Sequence, residues 1–365
     1  MSNATESKPS TGWTKRLFLI ATTYSGALLF GLIGYWLNVP LAWMIGALLF
    51  AASMRMAELP MEIPRYTRPI GQVLVASSVG LSFTPEAVSA MGSLLVPMLG
   101  AALMTIVIGF VVAAALMRMS GVDVVTATLA SVPMGPVESA NLAHKHGVAP
   151  GPVIFSQTLR IVMLVLLIPP VLVALDGSVT DPHAALRVTN WTLPGSVLLC
   201  ATALLGAWFI KLVRLSNPFF FGALAGTALA AALSAPVTAY PYPVLVLAQI
   251  FLGVWLGAVF DRELVRNAGN FLGASVVASL LMMALCALMG LVLSWMTGQS
   301  WQVMVLATAP GSVTEMALTG RNQGNDGLGG DGLGHGHQGR HGARRDPRRS
   351  ARDALGDESE PFGGG

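Results

Sequence analysis

Long apolar runs separated by short polar loops occupy most of this chain of 365 residues. The runs fall at about 17–37, 41–54, 70–84, 90–117, 122–142, 151–175, 192–212, 217–236, 243–260, 270–297 and 301–319. Several of them are shorter than the roughly 20 helical residues that a bilayer core of about 30 Å requires. The pattern predicts an all-α, polytopic membrane protein with short or broken spans beside full ones.

The composition supports a membrane protein. Hydrophobic residues make up 54% of the chain and charged residues 11%, against about 25% charged in a soluble domain. The first run, 17–37, is too long for a signal-peptide core and is followed by no small-residue cleavage site, so we interpret it as a retained span. Cys200 and Cys286 lie in apolar runs and fit packing roles, and no metal or cofactor motif is present.

Internal repetition is the next feature of the chain. At a shift of 177 residues, landmarks of one half coincide with landmarks of the other: Gln72 with Gln249, Gly80 with Gly257, Phe83 with Phe260, Glu86 with Glu263, Pro133 with Pro310, Glu138 with Glu315, and Gly147 with Gly324. The sequence therefore predicts a first membrane repeat at 17–175, a linker loop at 176–191 and a second repeat at 192–319.

The positive residues of the loops predict the orientation. Eleven of them fall in alternate short loops, and only Arg187 falls in the others: Lys8, Lys15, Arg16, Arg55, Arg65, Arg68, Arg118, Lys211, Arg214, Arg262 and Arg266. Since Lys and Arg are retained on the cytoplasmic side, the segment 1–16 is predicted to be cytoplasmic. This is the orientation expected in a bacterial-type inner membrane.

The same count predicts re-entrant hairpins. With Arg118 inside and the 176–191 loop outside, only one of the two runs between them can cross the bilayer. The proline-containing run at 122–142 is the better candidate for a hairpin that returns to its own side. Five crossings plus one hairpin per repeat would make the second repeat inverted, with the two hairpins entering from opposite faces.

Each predicted hairpin carries one acid in an apolar setting. Leu129–Ala140 reads LASVPMGPVESA and Leu306–Ala317 reads LATAPGSVTEMA, so a glutamate follows the proline by five positions in both. A carboxylate at the bilayer centre costs about 2.5 to 3.5 kcal/mol and usually serves a function. Matching breaks in two halves are typical of a transporter's binding site. Glu138 and Glu315 are therefore candidate ion or substrate ligands; the alternative is that each ties down loop backbone.

Other polar residues of the runs extend this candidate pathway. The breaks themselves are made by Pro133, Gly135, Pro310 and Gly311. Ser312 and Thr314 can ligate Na⁺ or satisfy backbone groups, and the intramembrane amides Gln72 and Gln249 can face substrate or bond helices together. Arg160 lies too deep to reach the interface; it can pair with Glu138 or hold an anionic substrate.

The last 46 positions, 320–365, differ from the rest of the chain. They are rich in Gly, Arg and Asp and lack aliphatic periodicity, so they are predicted to be disordered. The full span that follows the acid in the first repeat has no counterpart here, and His337 stands where Arg160 would be matched. Two interpretations stay open: a genuine tail, or loss of the last helix through a frame shift near Gly324.

Several segments resemble the AbrB-type integral membrane family, in which one membrane module is duplicated. The resemblance is carried by PLAWMIGALL (40–49), GQVLVASSVGLSF (71–83), TATLASVPMGPVESA (126–140), SQTLRIV (156–162) and LATAPGSVTEMAL (306–318). The chain departs from the family in reading Pro-Met-Gly at its first break and in lacking the final helix. Family members carry labels such as regulator of gene expression and ammonia monooxygenase, which the resemblance brings with it.

Secondary transport is the function that these patterns favour. The chain has no P-loop, so coupling of a small solute to Na⁺ or H⁺ is expected rather than ATP hydrolysis. A regulator acting indirectly on gene expression is the alternative. A monooxygenase is disfavoured because the runs lack convergent His ligands, and direct DNA binding because no basic folded module is present. We expect a non-enzyme whose partners are the bilayer and its solute; the oligomeric state is not predicted.

Overall fold

The structure is a computed structural model that describes residues 12–176, 191–215, 217–260, 262–267 and 269–310. Within these ranges every regular element is an α-helix, which confirms the all-α prediction. Several predictions fall outside the described residues: the tail at 320–365, most of the linker loop, and the second-break residues Gly311, Ser312, Thr314 and Glu315.

Thirteen helices are described in these ranges. The first half holds α1 (Trp13–Trp36), α2 (Ala42–Met56), α3 (Thr67–Gly80), α4 (Pro85–Ser120), α5 (Val124–Ser131), α6 (Pro136–Lys145) and α7 (Pro150–Asp176). The second half holds α8 (Leu193–Leu212), α9 (Pro218–Ala232), α10 (Tyr242–Gly257), α11 (Arg262–Asn267), α12 (Asn270–Thr297) and α13 (Trp301–Thr308).

Five of the helices are long and apolar enough to cross a bilayer: α1, the Leu95–Ser120 part of α4, the Pro150–Leu172 part of α7, α8 and α12. Three shorter apolar helices, α2, α9 and α10, have 15 to 16 residues each. The exposed side chains of the long helices are largely apolar, as a lipid-facing surface requires; Trp295 is 85% exposed and Val96 is 78% exposed. This is a multi-pass membrane protein.

Helix boundaries recur at the sequence offset of 177. The α4 helix begins at 85 and ends at 120, while its counterpart begins at 262 with α11 and ends at 297 with α12. The α5 helix covers 124–131 and α13 covers 301–308. At this helix the halves differ, because α4 is continuous whereas Gly269, at φ +48°, lies between α11 and α12.

Helices of each half pack against helices of the other half. The α2 helix packs against α10, and the matching pair is α9 against α3. Glycines at matching positions permit both contacts: a Cβ on Gly80 would collide with Thr227 of α9, and one on Gly257 would collide with Leu48 of α2. Such an exchange is what two repeats related by a two-fold axis produce; the inverted orientation of the repeats stays a prediction.

Close contacts inside each half also depend on glycine. In the α1–α2 pair, a Cβ on Gly31 would meet Trp43, and in the α8–α9 pair one on Gly222 would meet the backbone of Ala207. Gly31 and Gly222 therefore allow the two helices of each pair to approach closely. Small residues serve membrane helices in this way because dispersion, not water exclusion, holds them together.

Candidate functional site

The first predicted break is present. The α5 helix ends at Ser131 and α6 begins at Pro136, with non-helical backbone between them. The two arms have 8 and 10 residues, about 12 and 15 Å of helix, so neither can cross a bilayer alone. That the second arm returns to the side of the first stays a prediction.

Prolines leave backbone carbonyls of the break without their usual donors. The helical partner of the Leu129 carbonyl would be the N–H of Pro133, and that of Val132 would be the N–H of Pro136, but proline has none. Gln157 of α7 supplies both: its Nε2 donates to Leu129 O at 2.7 Å and to Val132 O at 2.9 Å. One fully buried amide therefore serves two carbonyls that the sequence makes orphans.

The carbonyls between these two are bonded from the same helix. Ser156 Oγ donates to Ala130 O at 3.3 Å, and Arg160 Nη1 donates to Ser131 O at 2.7 Å. Four consecutive carbonyls at the end of α5 are thus satisfied by three side chains of α7. Lipid chains cannot hydrogen-bond to backbone carbonyls, so a broken helix is tolerated in a membrane only where protein or water supplies the missing hydrogen bonds.

Arg160 is a buried cation with neutral partners. It is 4% exposed, and besides Ser131 O it donates through Nη2 to Gln157 Oε1. Its Nε has no hydrogen-bond partner in the described part of the chain. No ion pair joins Arg160 to Glu138 within residues 12–176. The predicted pairing of Arg160 with Glu138 is therefore not present in this conformation. An anionic ligand for Arg160 stays a prediction.

Glu138 lies at the positive end of α6. It is the third residue of the helix, where the helix dipole favours an acid, and it is half-buried. Its carboxylate folds over Gly135, because a Cβ added to that glycine would collide with Oε2. Gly135 has an ordinary φ of −67°, so the break needs glycine there for space and not for conformation.

Glu138 also lines a cavity of about 570 Å³. Its walls come from the loop before α3, the start of α3, the starts of α6 and α9, and the end of α10. The lining residues are Ile63, Pro64, Arg65, Arg68, Pro69, Gln72, Glu138, Asn217, Pro218, Phe219, Trp255, Ala258 and Val259. Of the predicted pathway residues, the cavity brings together Glu138 and Gln72.

Sequence reasoning missed the aromatic and cationic part of this wall. The Arg68 guanidinium lies over the Trp255 ring, 4.2 Å from its centroid, a cation–π contact. From the sequence, Arg65 and Arg68 serve only to predict the orientation of the chain. The available signal was that two arginines lie three residues apart where a short apolar run begins; nothing in the sequence indicated that α9 and α10 would meet them there.

Comparison with known proteins is decisive for the family. A model described as "Transition state regulatory protein AbrB" matches residues 43–327, most of the chain. The chain belongs to the AbrB family. It is also 26% identical over 332 residues, 84% of each chain, to "Uncharacterized protein YhjN" of Bacillus subtilis (strain 168). Neither description names an enzymatic activity for those proteins.

The two halves of this AbrB-family chain are not equivalent at the cavity. Gln249, the mate of Gln72, is fully buried, and neither its Nε2 nor its Oε1 has a partner in the described ranges. It does not line the cavity. The positions that match Arg65 and Arg68 at the offset of 177 hold Tyr242 and Leu245. The arginine pair is therefore specific to the first half.

The second break of the AbrB-family chain is described only up to its proline. The α13 helix ends at Thr308, and Pro310 is buried. Thr308 Oγ1 lies 2.9 Å from Cys286 O, which fixes the end of α13 on α12. In the described ranges no three His, Cys, Asp or Glu side chains come together as a metal site would require.

Proposed function

We propose that this AbrB-family protein is an ion-coupled secondary transporter of a small solute. The observation that carries the proposal is the position of Glu138: an acid at a broken membrane helix, lining a cavity of about 570 Å³. Such a carboxylate is costly in a membrane protein and is typically part of a substrate or ion path. Broken helices beside a cavity are the usual construction of transporter sites.

The proposed mechanism is alternating access. The α7 side chains hold the break as a formed element, so that solute can enter and leave while the broken backbone keeps its hydrogen bonds. Arg65 is exposed on the cavity wall, at the face that the charge count assigns to the cytoplasm. The described conformation thus corresponds, in this proposal, to a cytoplasm-facing state in which the N-terminus is cytoplasmic and the repeats are inverted.

The topology has a direct test at the end of α6. In a protein without Cys200, a cysteine in place of the exposed Lys145 is expected to react with a membrane-impermeant maleimide only in inside-out vesicles. Trp13→Cys, at the start of α1, is the matched control for the cytoplasmic side. Labelling of position 145 in right-side-out vesicles alone would overturn the hairpin and the inverted repeats.

Transport itself is tested by comparing two acids. Solutes whose cellular levels change when the protein is overproduced, found by untargeted mass spectrometry, are offered to proteoliposomes under an imposed pH or Na⁺ gradient. We expect gradient-driven uptake by the parent protein and by Glu86→Gln, whose carboxylate is exposed at the start of α4. Glu138→Gln is expected to lose that dependence.

A regulatory role is the second candidate, because the matching family description names a transition-state regulator. In this protein such a role would be indirect: a change in the level of a transported effector would alter transcription. Transcript changes on overproduction should then disappear in the Glu138→Gln variant. Transcript changes that persist in that variant would favour a regulatory role independent of transport.

A further inference from the structure

The charged residues of the cavity are unevenly balanced. Three of its lining residues are ionisable: Arg65, Arg68 and Glu138. Two guanidinium groups against one carboxylate give the wall a net positive charge while Glu138 is ionised, and a larger one when it is protonated. Guanidinium groups bind carboxylate and phosphate oxygens through paired N–H donors, which the ammonium group of lysine cannot do in the same geometry.

Helix ends add to the positive potential. The cavity is lined by the first residues of α3, by Glu138 near the start of α6, and by Pro218 and Phe219 at the start of α9. Helix N-termini carry partial positive charge from their unpaired N–H groups. One opposing end is present, since Ala258 and Val259 follow the C-terminus of α10. Together, the two arginines and the helix N-termini outweigh Glu138 and the C-terminus of α10, so the electrostatic potential of the cavity favours binding of an anion.

The remainder of the wall suits an apolar body. Phe219, Trp255 and Val259 present carbon surface beside the arginines, and the volume of about 570 Å³ lies in the range of about 300 to 1,000 Å³ typical of small-molecule sites. An inorganic anion would leave most of this surface without contacts, so an organic acid fits better.

We propose that the cavity binds a small organic anion, whose acidic group is held by Arg65 and Arg68, and that one proton is bound at Glu138 together with it. This inference rests on the proposed transport function and names its substrate class and coupling ion. The ionised carboxylate repels an anion in the same cavity, and one proton taken from water removes that repulsion. Because linkage is reciprocal, the bound anion in turn favours the proton.

The surroundings of Glu138 support a proton rather than a metal cation. The other charged residues that line the cavity are Arg65, in the turn before α3, and Arg68 of α3, while α9 and α10 contribute uncharged lining residues. Arg160 of α7 is engaged with the break, and His144 and Lys145 lie at the far end of α6. Hard cations collect several oxygen ligands, whereas one carboxylate beside two cations is a poor site for them.

The test measures the charge preference of the cavity and needs no identified solute. Val259 is replaced by cysteine in a protein without Cys200, and buried Cys286 is kept as an unreactive background. The purified protein reacts with an anionic and a cationic methanethiosulfonate, and the ratio of the two rates is compared with that for a free thiol. Ser82→Cys, exposed beyond the other end of α3, is the control position.

We expect the ratio at position 259 to exceed the free-thiol value and to fall roughly 2- to 6-fold in Arg65→Gln, because loss of one positive charge nearby slows the anionic reagent and speeds the cationic one. Arg65 is exposed, so its replacement leaves the packing intact. The ratio should rise as pH falls in the parent protein and not in Glu138→Gln; a ratio cancels the pH dependence of the thiol itself.

A ratio at or below the free-thiol value would overturn the anion site, and the same pH response in Glu138→Gln would overturn the proton site. Neither result requires transport to be observed. Gradient-driven uptake could therefore be observed even if the anion site or the proton site is disproved. Failure of this inference is thus distinguishable from failure of the proposed transport function.

Discussion

The hydrogen bonds between α7 and the break yield a sharp stability prediction. Gln157→Leu keeps the size of the side chain but removes the donors to Leu129 O and Val132 O, at 2.7 and 2.9 Å. It also removes the acceptor of an Arg160 N–H. Neither carbonyl can recover a helical partner, because the residues four positions on are Pro133 and Pro136.

The expected loss follows from the number of bonds. Interhelical hydrogen bonds in membrane proteins contribute about 0.6 kcal/mol on average and up to about 1.7, so two of them amount to about 1 to 3 kcal/mol. The upper part of that range applies because Gln157 is fully buried and the orphaned acceptors have no water to replace the amide. We expect a loss of about 2 to 3 kcal/mol in the free energy of unfolding.

The assay is equilibrium unfolding of the purified protein by sodium dodecyl sulfate in mixed micelles, followed by circular dichroism. Thr158→Val is the matched control: Thr158 is the next residue of α7, is 5% exposed, and its Oγ1 has no partner in the described part of the chain. Removing an unbonded buried hydroxyl should be neutral or stabilising. If Gln157→Leu unfolds at the same denaturant fraction as Thr158→Val, the capping account is wrong.

Two further substitutions probe the arms of the break. Gly135→Ala should leave the free energy of unfolding within about 0.5 kcal/mol of the parent, because its Cβ displaces only a flexible carboxylate. It should nevertheless lose gradient-dependent uptake, as Glu138→Gln does. Gly100→Ala, whose Cβ meets nothing within 4 Å, is the control, and normal gradient-dependent uptake by Gly135→Ala would contradict the reasoning. Asp123→Ala removes the N-cap of α5, whose Oδ2 accepts from Thr126 N at 2.9 Å, and should cost about 0.5 to 2 kcal/mol. Hydrogen bonds with Thr126 hold the pKa of Asp123 below its ordinary 3.8. The stabilisation by this cap is therefore fully present above pH 3.8 and is lost as the pH falls through the lowered pKa of the folded state. A difference in the free energy of unfolding between parent and Asp123→Ala that grows below pH 3.8 would refute this account.

The helices and the break were predictable because they depend on local sequence. Apolar runs give spans whatever surrounds them, and Pro133 interrupts a helix in any context. The repeat offset, read from landmarks such as Gln72 and Gln249, reappears in the helix boundaries because the same local signals occur in both halves, such as the left-handed C-cap glycines Gly121 and Gly298.

Neither the hydrogen bonds from α7 to the break nor the cavity could be predicted from local sequence. Gln157 reaches carbonyls 25 and 28 residues away, and only the approach of α7 to α5 makes that contact. The cavity wall is assembled from α3, α6, α9 and α10, and no single stretch records the exchange of helices between the halves. Arg68 and Trp255 are in contact although 187 positions separate them in the chain, so the sequence around either residue does not predict the contact.

Gradient-driven uptake in proteoliposomes tests the central claim most directly. Parent, Glu138→Gln and Glu86→Gln proteins are compared with the solutes identified in cells, with the pH gradient imposed, reversed and absent. The account predicts accumulation that follows the pH gradient in the parent and in Glu86→Gln and is lost in Glu138→Gln. Equal gradient-dependent accumulation by Glu138→Gln would contradict it.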